Sequence, residues 1–112
     1  MRLDRFTNKL QEAFSEAQSL AVAGDHQFIE PVHLMMALFD QEGSSVRYLL
    51  NRAAVNVSYI RSMLGEAYER LPKVEGNYGE MHISNELAKL LNQADKFAQK
   101  RKDKYIASEL VI

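Results

Sequence analysis

The sequence contains no cysteine and no tryptophan. Without thiols there is no disulfide, no thiolate metal site and no cysteine nucleophile, and a reducing cytoplasm, the expected location, is allowed. Only two prolines and five glycines punctuate 112 residues, so long stretches are free to run as helix. No apolar run approaches the roughly 18 residues that a membrane span requires. The opening Met1-Arg2-Leu3-Asp4-Arg5 interleaves charge with apolar residues, unlike a secretory signal. Charge of one sign is lacking too: 14 Lys and Arg against 15 Asp and Glu give a net −1. That balance disfavours a general polycation for nucleic acid or a membrane surface. What is present, 46% hydrophobic and 26% charged residues over the length of one domain, suits a chain that buries a core.

Catalytic signatures are also missing. None of Gly24, Gly43, Gly65, Gly76 or Gly79 opens a phosphate-binding loop ending in Lys-Ser/Thr, and there is no Gly-x-Gly-x-x-Gly. No Gly-x-Ser-x-Gly elbow holds a serine nucleophile. The three histidines, His26, His33 and His82, offer no i, i+4 pair for a metal, so no metal or other cofactor is expected. His33 reads as a packed, hydrogen-bonded core residue. The expectation is a chain that does not hydrolyse ATP and is not an enzyme.

The hydrophobic spacing predicts an all-α chain. A first helix spans about residues 4–22, with Asp4 or Thr7 as cap and Gly24 as a left-handed stop. Pro31 suits the first turn of a second helix, residues 31–40. A short third helix carries Val46, Leu49, Leu50 and Ala53 on its apolar face. A fourth, started by Asn56 or Ser58, steps through Val57, Ile60, Leu64, Ala67 and Leu71. Residues 72–82 hold Pro72, Gly76 and Gly79 and read as a linker loop. A fifth helix runs from Ser84 to about residue 102, and a sixth begins at Ser108-Glu109.

The first and fifth helices share one pattern. Phe6, Leu10, Ala13, Phe14, Ala17, Leu20 and Ala21 fall on Ile83, Leu87, Leu90, Leu91, Ala94, Phe97 and Ala98, always at an offset of 77 residues. The offset continues through the connector, with Phe28-Ile29 on Tyr105-Ile106 and Pro31 on Ser108. Two copies of one helical unit are expected, each burying the other's apolar face. Repeat one covers about residues 1–71 and a partial repeat two about residues 83–112. A second unit of full length would end near residue 148, so the reading expects a second repeat truncated inside its sixth helix. Apolar surface near Leu110-Val111-Ile112 would then be left open or covered by another molecule.

Four stretches carry a resemblance: Met1-Arg2-Leu3-Asp4-Arg5-Phe6-Thr7-Asn8-Lys9, Phe28-Ile29-Glu30-Pro31-Val32-His33-Leu34, Leu71-Pro72-Lys73-Val74-Glu75-Gly76 and Ala98-Gln99-Lys100-Arg101. Together they resemble the N-terminal domain of the ClpB-type disaggregase chaperones. Glu30-Pro31-Val32-His33, where the protease-linked unfoldases usually have Gly-Thr-Glu-His, fits the ClpB branch. The resemblance implies a Clp N-terminal-type bundle of two pseudo-repeats that binds unfolded or aggregated polypeptide. It implies a parent protein that works as a hexameric ATPase ring with a DnaK-type chaperone system. Two positions depart from the family pattern: Lys102, where glycine is common, and polar Gln93, where an apolar residue is common.

Thr7, Asp103 and Glu109 match polar family positions associated with substrate handling, and the repeat brings their segments into one neighbourhood if the halves pack face to face. Unfolded substrates expose apolar surface, for which an apolar groove with polar edges is the complement. Leu10, Ala13, Leu91, Leu110 and Val111 are its candidate lining, and ordinary core is the alternative for each. Lys96, Lys100, Arg101, Lys102 and Lys104 form the one basic stretch. It reads as a solvated helix C-terminus, where cations offset the helix dipole, with an anionic partner as the rival. Adaptor docking or ring regulation is the alternative function to substrate capture.

Overall fold

A computed structural model of the chain describes residues 5–43, 45–74 and 81–111. Asp4 as a cap, Gly76 and Gly79 in the linker and Ile112 lie outside the described residues. The elements run α1 (Asn8–Ala23), β1 (Phe28–Ile29), α2 (Pro31–Asp40), α3 (Ser45–Arg52), α4 (Val57–Arg70), β2 (His82–Ile83) and α5 (Asn85–Lys100), then a 3-10 turn (Ser108–Leu110).

The caps follow local chemistry. Short side-chain oxygens accept the orphan amides of each first turn: Leu10 N–H donates to Thr7 Oγ1 at 3.3 Å, Tyr59 N–H to Asn56 Oδ1 at 3.0 Å and Leu87 N–H to Ser84 Oγ at 3.1 Å. Pro31 occupies the first turn of α2, where no N–H is needed. The first helix therefore starts after Thr7, four residues later than its apolar pattern suggested. The sixth helix is a 3-10 turn among the described residues.

Three further expectations change. Gly24 is not the left-handed residue: its φ is −90°, and Asp25 takes the positive φ of 57°. Glycine is needed at 24 for space, because a Cβ there would stand 2.6 Å from His26 Cε1 and 2.7 Å from the Tyr68 hydroxyl. On α3, Leu49 is 44% exposed and Ala53 lies beyond the helix end, so Val46 and Leu50 alone face inward. On α4 Ala67 is exposed, and the helix packs through half-buried Val57, Ile60 and Leu64.

The connectors, read as irregular, hold a two-residue parallel strand pair, Phe28 on His82 and Ile29 on Ile83. A matching bridge joins Phe6 to Ile106. Under the 77-residue offset Phe6 corresponds to Ile83 and Ile29 to Ile106, so each half lends its connector to the other half's leading segment. The hydrogen bonds obey the same relation: Thr7 N–H donates to the Ile106 carbonyl at 3.0 Å and Ser84 N–H to the Ile29 carbonyl at 2.9 Å. Both helix ends repeat as well. Gly24 N–H bonds the Leu20 carbonyl at 3.1 Å and Arg101 N–H the Phe97 carbonyl at 3.0 Å, while Asp25 and Lys102 share a positive φ of 57° and 62°.

One core spans the seam between the halves. Phe6, Leu10, Ala17, Ala21 and Leu34 lie against Leu87, Leu91, Ala98, Ile106 and Val111 in a single buried cluster. Arg5 and Asp95 add an ion pair across it at 2.7 Å. Val111 is buried and Leu110 half-buried, so the apolar surface expected there is largely covered. The departure from symmetry lies on α5: Phe97 is 59% exposed, whereas its counterpart Leu20 packs against the core.

Candidate functional site

A cleft of about 310 Å³ opens where the leading ends of α1 and α3 meet the 3-10 turn. Thr7, Asn8 and Lys9 come from the start of α1, Gln41 and Gly43 from the turn after α2, Ser45 from the start of α3, and Ala107, Ser108 and Glu109 from the last connector. The Thr7–Ile106 hydrogen bond brings the first and last of these together, so the cleft exists because the halves exchange connectors.

Its polar groups are partly satisfied. Thr7 Oγ1 is spent on the helix cap. The Ser45 hydroxyl donates to Glu109 Oε1, tying α3 to the 3-10 turn. Lys9 Nζ reaches the Glu42 carbonyl at 3.3 Å, and Gln41 Nε2 donates to the Lys9 carbonyl at 2.9 Å. Two oxygens remain buried without a hydrogen-bond partner among the described residues: Ser108 Oγ and Gln41 Oε1. Ser108 is only 5% exposed. A buried polar atom without a partner costs roughly 1–3 kcal/mol, so both gain from a ligand that brings hydrogen-bond donors.

Thr7 and Glu109 thus line one cleft, in the neighbourhood that the repeat implied for their segments. Asp103 is not among its lining residues. Its N–H closes the α5 turn on the Ala98 carbonyl at 2.7 Å, and its carboxylate lies 3.6 Å from Arg101. Among the described residues, the five candidates for an apolar groove are covered in this conformation. Leu10, Ala13, Leu91 and Val111 are no more than 3% exposed, and Leu110 is half-buried. The physical reason is the shared core: the apolar faces that were to line a groove are buried in one cluster together with α2 and the connector residues Ile29 and Ile106. The basic stretch is exposed throughout, with Lys104 resting over the Tyr105 ring at 5.5 Å.

Sequence reasoning missed Gln41, Ser45 and Ser108. Ser45 and Glu109 are 64 residues apart, and no local spacing signals that contact. The 77-residue offset could have found Ser108, since it falls on Pro31 at the start of α2 and marks the same turn in the second half.

A second polar constellation lies at the opposite end of the α1–α2 pair. His26 and His33, both buried, are joined from Nδ1 to Nε2 at 2.7 Å, and the Tyr68 ring stands edge-on to both. Burial, followed by the neighbouring His26, lowers His33 to about 4; burial and then Lys73 lower His26. His33 is the packed, hydrogen-bonded histidine that the sequence suggested. Among the described residues no group of three His, Cys, Asp or Glu side chains is placed to hold a metal, and no helix is long and apolar enough to cross a membrane.

Comparison with known proteins places this geometry. The Clp repeat N-terminal domain matches residues 5–112. The chain is 57% identical over its full length to the chaperone protein ClpB of Vibrio cholerae serotype O1 and 48% identical to that of Pseudomonas putida. It spans 13% of the length of each. Among solved structures, the Hsp104 N-terminal domain of Candida albicans superposes with a TM-score of 0.85 at 21% identity, covering 95% of this chain and 69% of that one. The N-domain of ClpV from Vibrio cholerae gives 0.83 at 20% identity, covering 97% and 64%. At these identities the structural likeness speaks for the fold, and the sequence match carries the kinship: the chain belongs to the Clp repeat N-terminal domain family.

Proposed function

We propose that the chain is the non-catalytic substrate-binding domain of a ClpB-type, ATP-dependent disaggregase of the cytoplasm. It captures exposed segments of unfolded or aggregated proteins and passes them to the parent's hexameric ATPase ring, which works with a DnaK-type chaperone system. The observation that carries this reading is the cleft between the halves, with Ser108 Oγ and Gln41 Oε1 buried and unpartnered. An unfolded chain offers main-chain N–H donors along its whole length, which suits acceptors that must take many sequences. The likeness to ClpB chaperones over all 112 residues supports the same reading. Thr7 and Glu109 frame the cleft, and Asp103 acts at a distance by fixing the turn that leads into it. Leu10, Ala13, Leu91, Leu110 and Val111 shape the cleft from beneath, and contact substrate only if the seam opens.

Binding of this kind is weak, because an open site of this size must offset the ordering entropy of a disordered ligand. The test is fluorescence anisotropy with one polypeptide labelled in its folded and unfolded forms. Binding of the unfolded form alone, weakened several-fold by Ser108→Ala and Glu109→Gln, is expected. Equal binding of both forms would overturn substrate capture.

A second reading, docking of an adaptor or a regulatory contact with the ring, is favoured by one comparison. A solved structure named for a peptide from the EAEC T6SS Sci1 SciI protein shares this fold with a TM-score of 0.90 at 23% identity. Selective binding of a folded partner at the same cleft would decide for it.

A further inference from the structure

The His26–His33 pair admits one arrangement of protons. Glu30 N–H donates to His33 Nδ1 at 2.8 Å, so that nitrogen carries no proton and neutral His33 carries its own on Nε2. This Nε2 lies 2.7 Å from His26 Nδ1, which must accept, and neutral His26 therefore bears its proton on Nε2. A further proton on His26 would set two N–H groups against each other across 2.7 Å, and one on His33 would face the Glu30 N–H across 2.8 Å. Neither ring can charge without breaking the chain of hydrogen bonds.

What these bonds hold is a joint. His26 pairs with Lys73 in a short antiparallel bridge, and Val74 N–H donates to the Asp25 carbonyl at 2.8 Å, pinning the chain that leaves α4. Two residues on, Phe28–Ile29 pairs with the second half. From α4 the Tyr68 hydroxyl donates to the Leu20 carbonyl at 2.8 Å and closes the histidines in. The charged groups around His26 are Lys73, which opposes its protonation, and Glu69, Asp25 and Glu30, which favour it. The cleft sits at the far end of the α1–α2 pair, where Gln41 bonds the Lys9 carbonyl.

We propose that His26 and His33 form a proton-operated latch, which when protonated releases the chain after α4 and the β1–β2 crossing while leaving the cleft end closed. Acidification of the compartment would thus loosen the joint between the halves.

Amide hydrogen exchange of the whole chain by NMR, corrected for intrinsic rates, tests this. A histidine held near 4 when latched and near its ordinary 6.5 when open makes opening about 20-fold more frequent at pH 5 than at pH 7. That rise is expected at Val74 and Ser84 and not at Leu10. His33→Gln, which can keep both hydrogen bonds without titrating, should reduce it to the smaller part that His26 carries, and His82→Gln should preserve it. Exchange at Val74 that does not change with pH would overturn the latch, as would the reverse pattern in the two variants. If His33→Gln fails to fold, imidazole nitrogen shifts of the unaltered chain decide: both protons on Nε2 at neutral pH are required, and either one on Nδ1 would refute the arrangement.

Discussion

Single residues here answer to space, backbone angle and proton count. Lys102 stands at φ 62°, where a side chain costs about 1 kcal/mol that glycine avoids. Lys102→Gly should therefore raise stability by up to about 1 kcal/mol, read as a higher urea midpoint. Gly24→Ala should lower it by about 1–3 kcal/mol, because the new methyl meets His26 and Tyr68 inside 3 Å. The two glycine-type positions illustrate what sequence conveys and what it does not. A departure from family pattern pointed to residue 102 correctly. At residue 24 the rule of a left-handed glycine failed, because the requirement there comes from the side chains of His26 and of Tyr68, 44 positions away, and not from the backbone angle. The histidines add a pH dependence. Both fall below the ordinary 6.5 in the folded chain, so their contribution is complete above about pH 6.5 and fades as pH falls, when the unfolded chain binds protons that the folded one refuses. For His33 the loss approaches about 3 kcal/mol by pH 4, measurable as a falling urea midpoint.

Among elements, the crossed connectors matter most. Ile29 and Ile106 are buried, and each belongs to one half by sequence and to the other by pairing. Ile106→Ala should cost about 2–5 kcal/mol and destabilise α1 as much as α5, with residue-resolved urea midpoints from both helices moving together. Thr7→Ala and Ser84→Ala each remove one cap bond and should cost about 1 kcal/mol. Since Thr7 alone lines the cleft, comparing the two separates lost stability from lost binding. Helix existence was legible because spacing and caps are local properties. The strand pairs were not, because a two-residue strand has no periodicity and only the packed partner defines it. The repeat was legible as a numerical offset, yet the offset does not say whether like segments stack or exchange.

At the scale of the whole molecule, one packing event makes both the core and the candidate site. The apolar faces of α1 and α5 are buried in one core with α2, which places Leu10 and Leu91 in its interior and leaves neither to line a groove. The starts of α1 and α3 and the 3-10 turn meet at one edge of that core and leave a polar cleft framed by Thr7, Ser45 and Glu109. Sequence reasoning chose the right seam and assigned the contact to its interior, because apolar ligands suggest apolar surfaces and burial cannot be read from residue type alone. The most direct measurement of the central claim is a residue-resolved NMR titration of the chain with an unfolded polypeptide. Amide shifts centred on Thr7, Gln41, Ser45, Ser108 and Glu109, abolished by Ser108→Ala with the fold intact, are the expected result. Shifts confined to the exposed face of α5 around Phe97, with the cleft amides unmoved, would contradict the account.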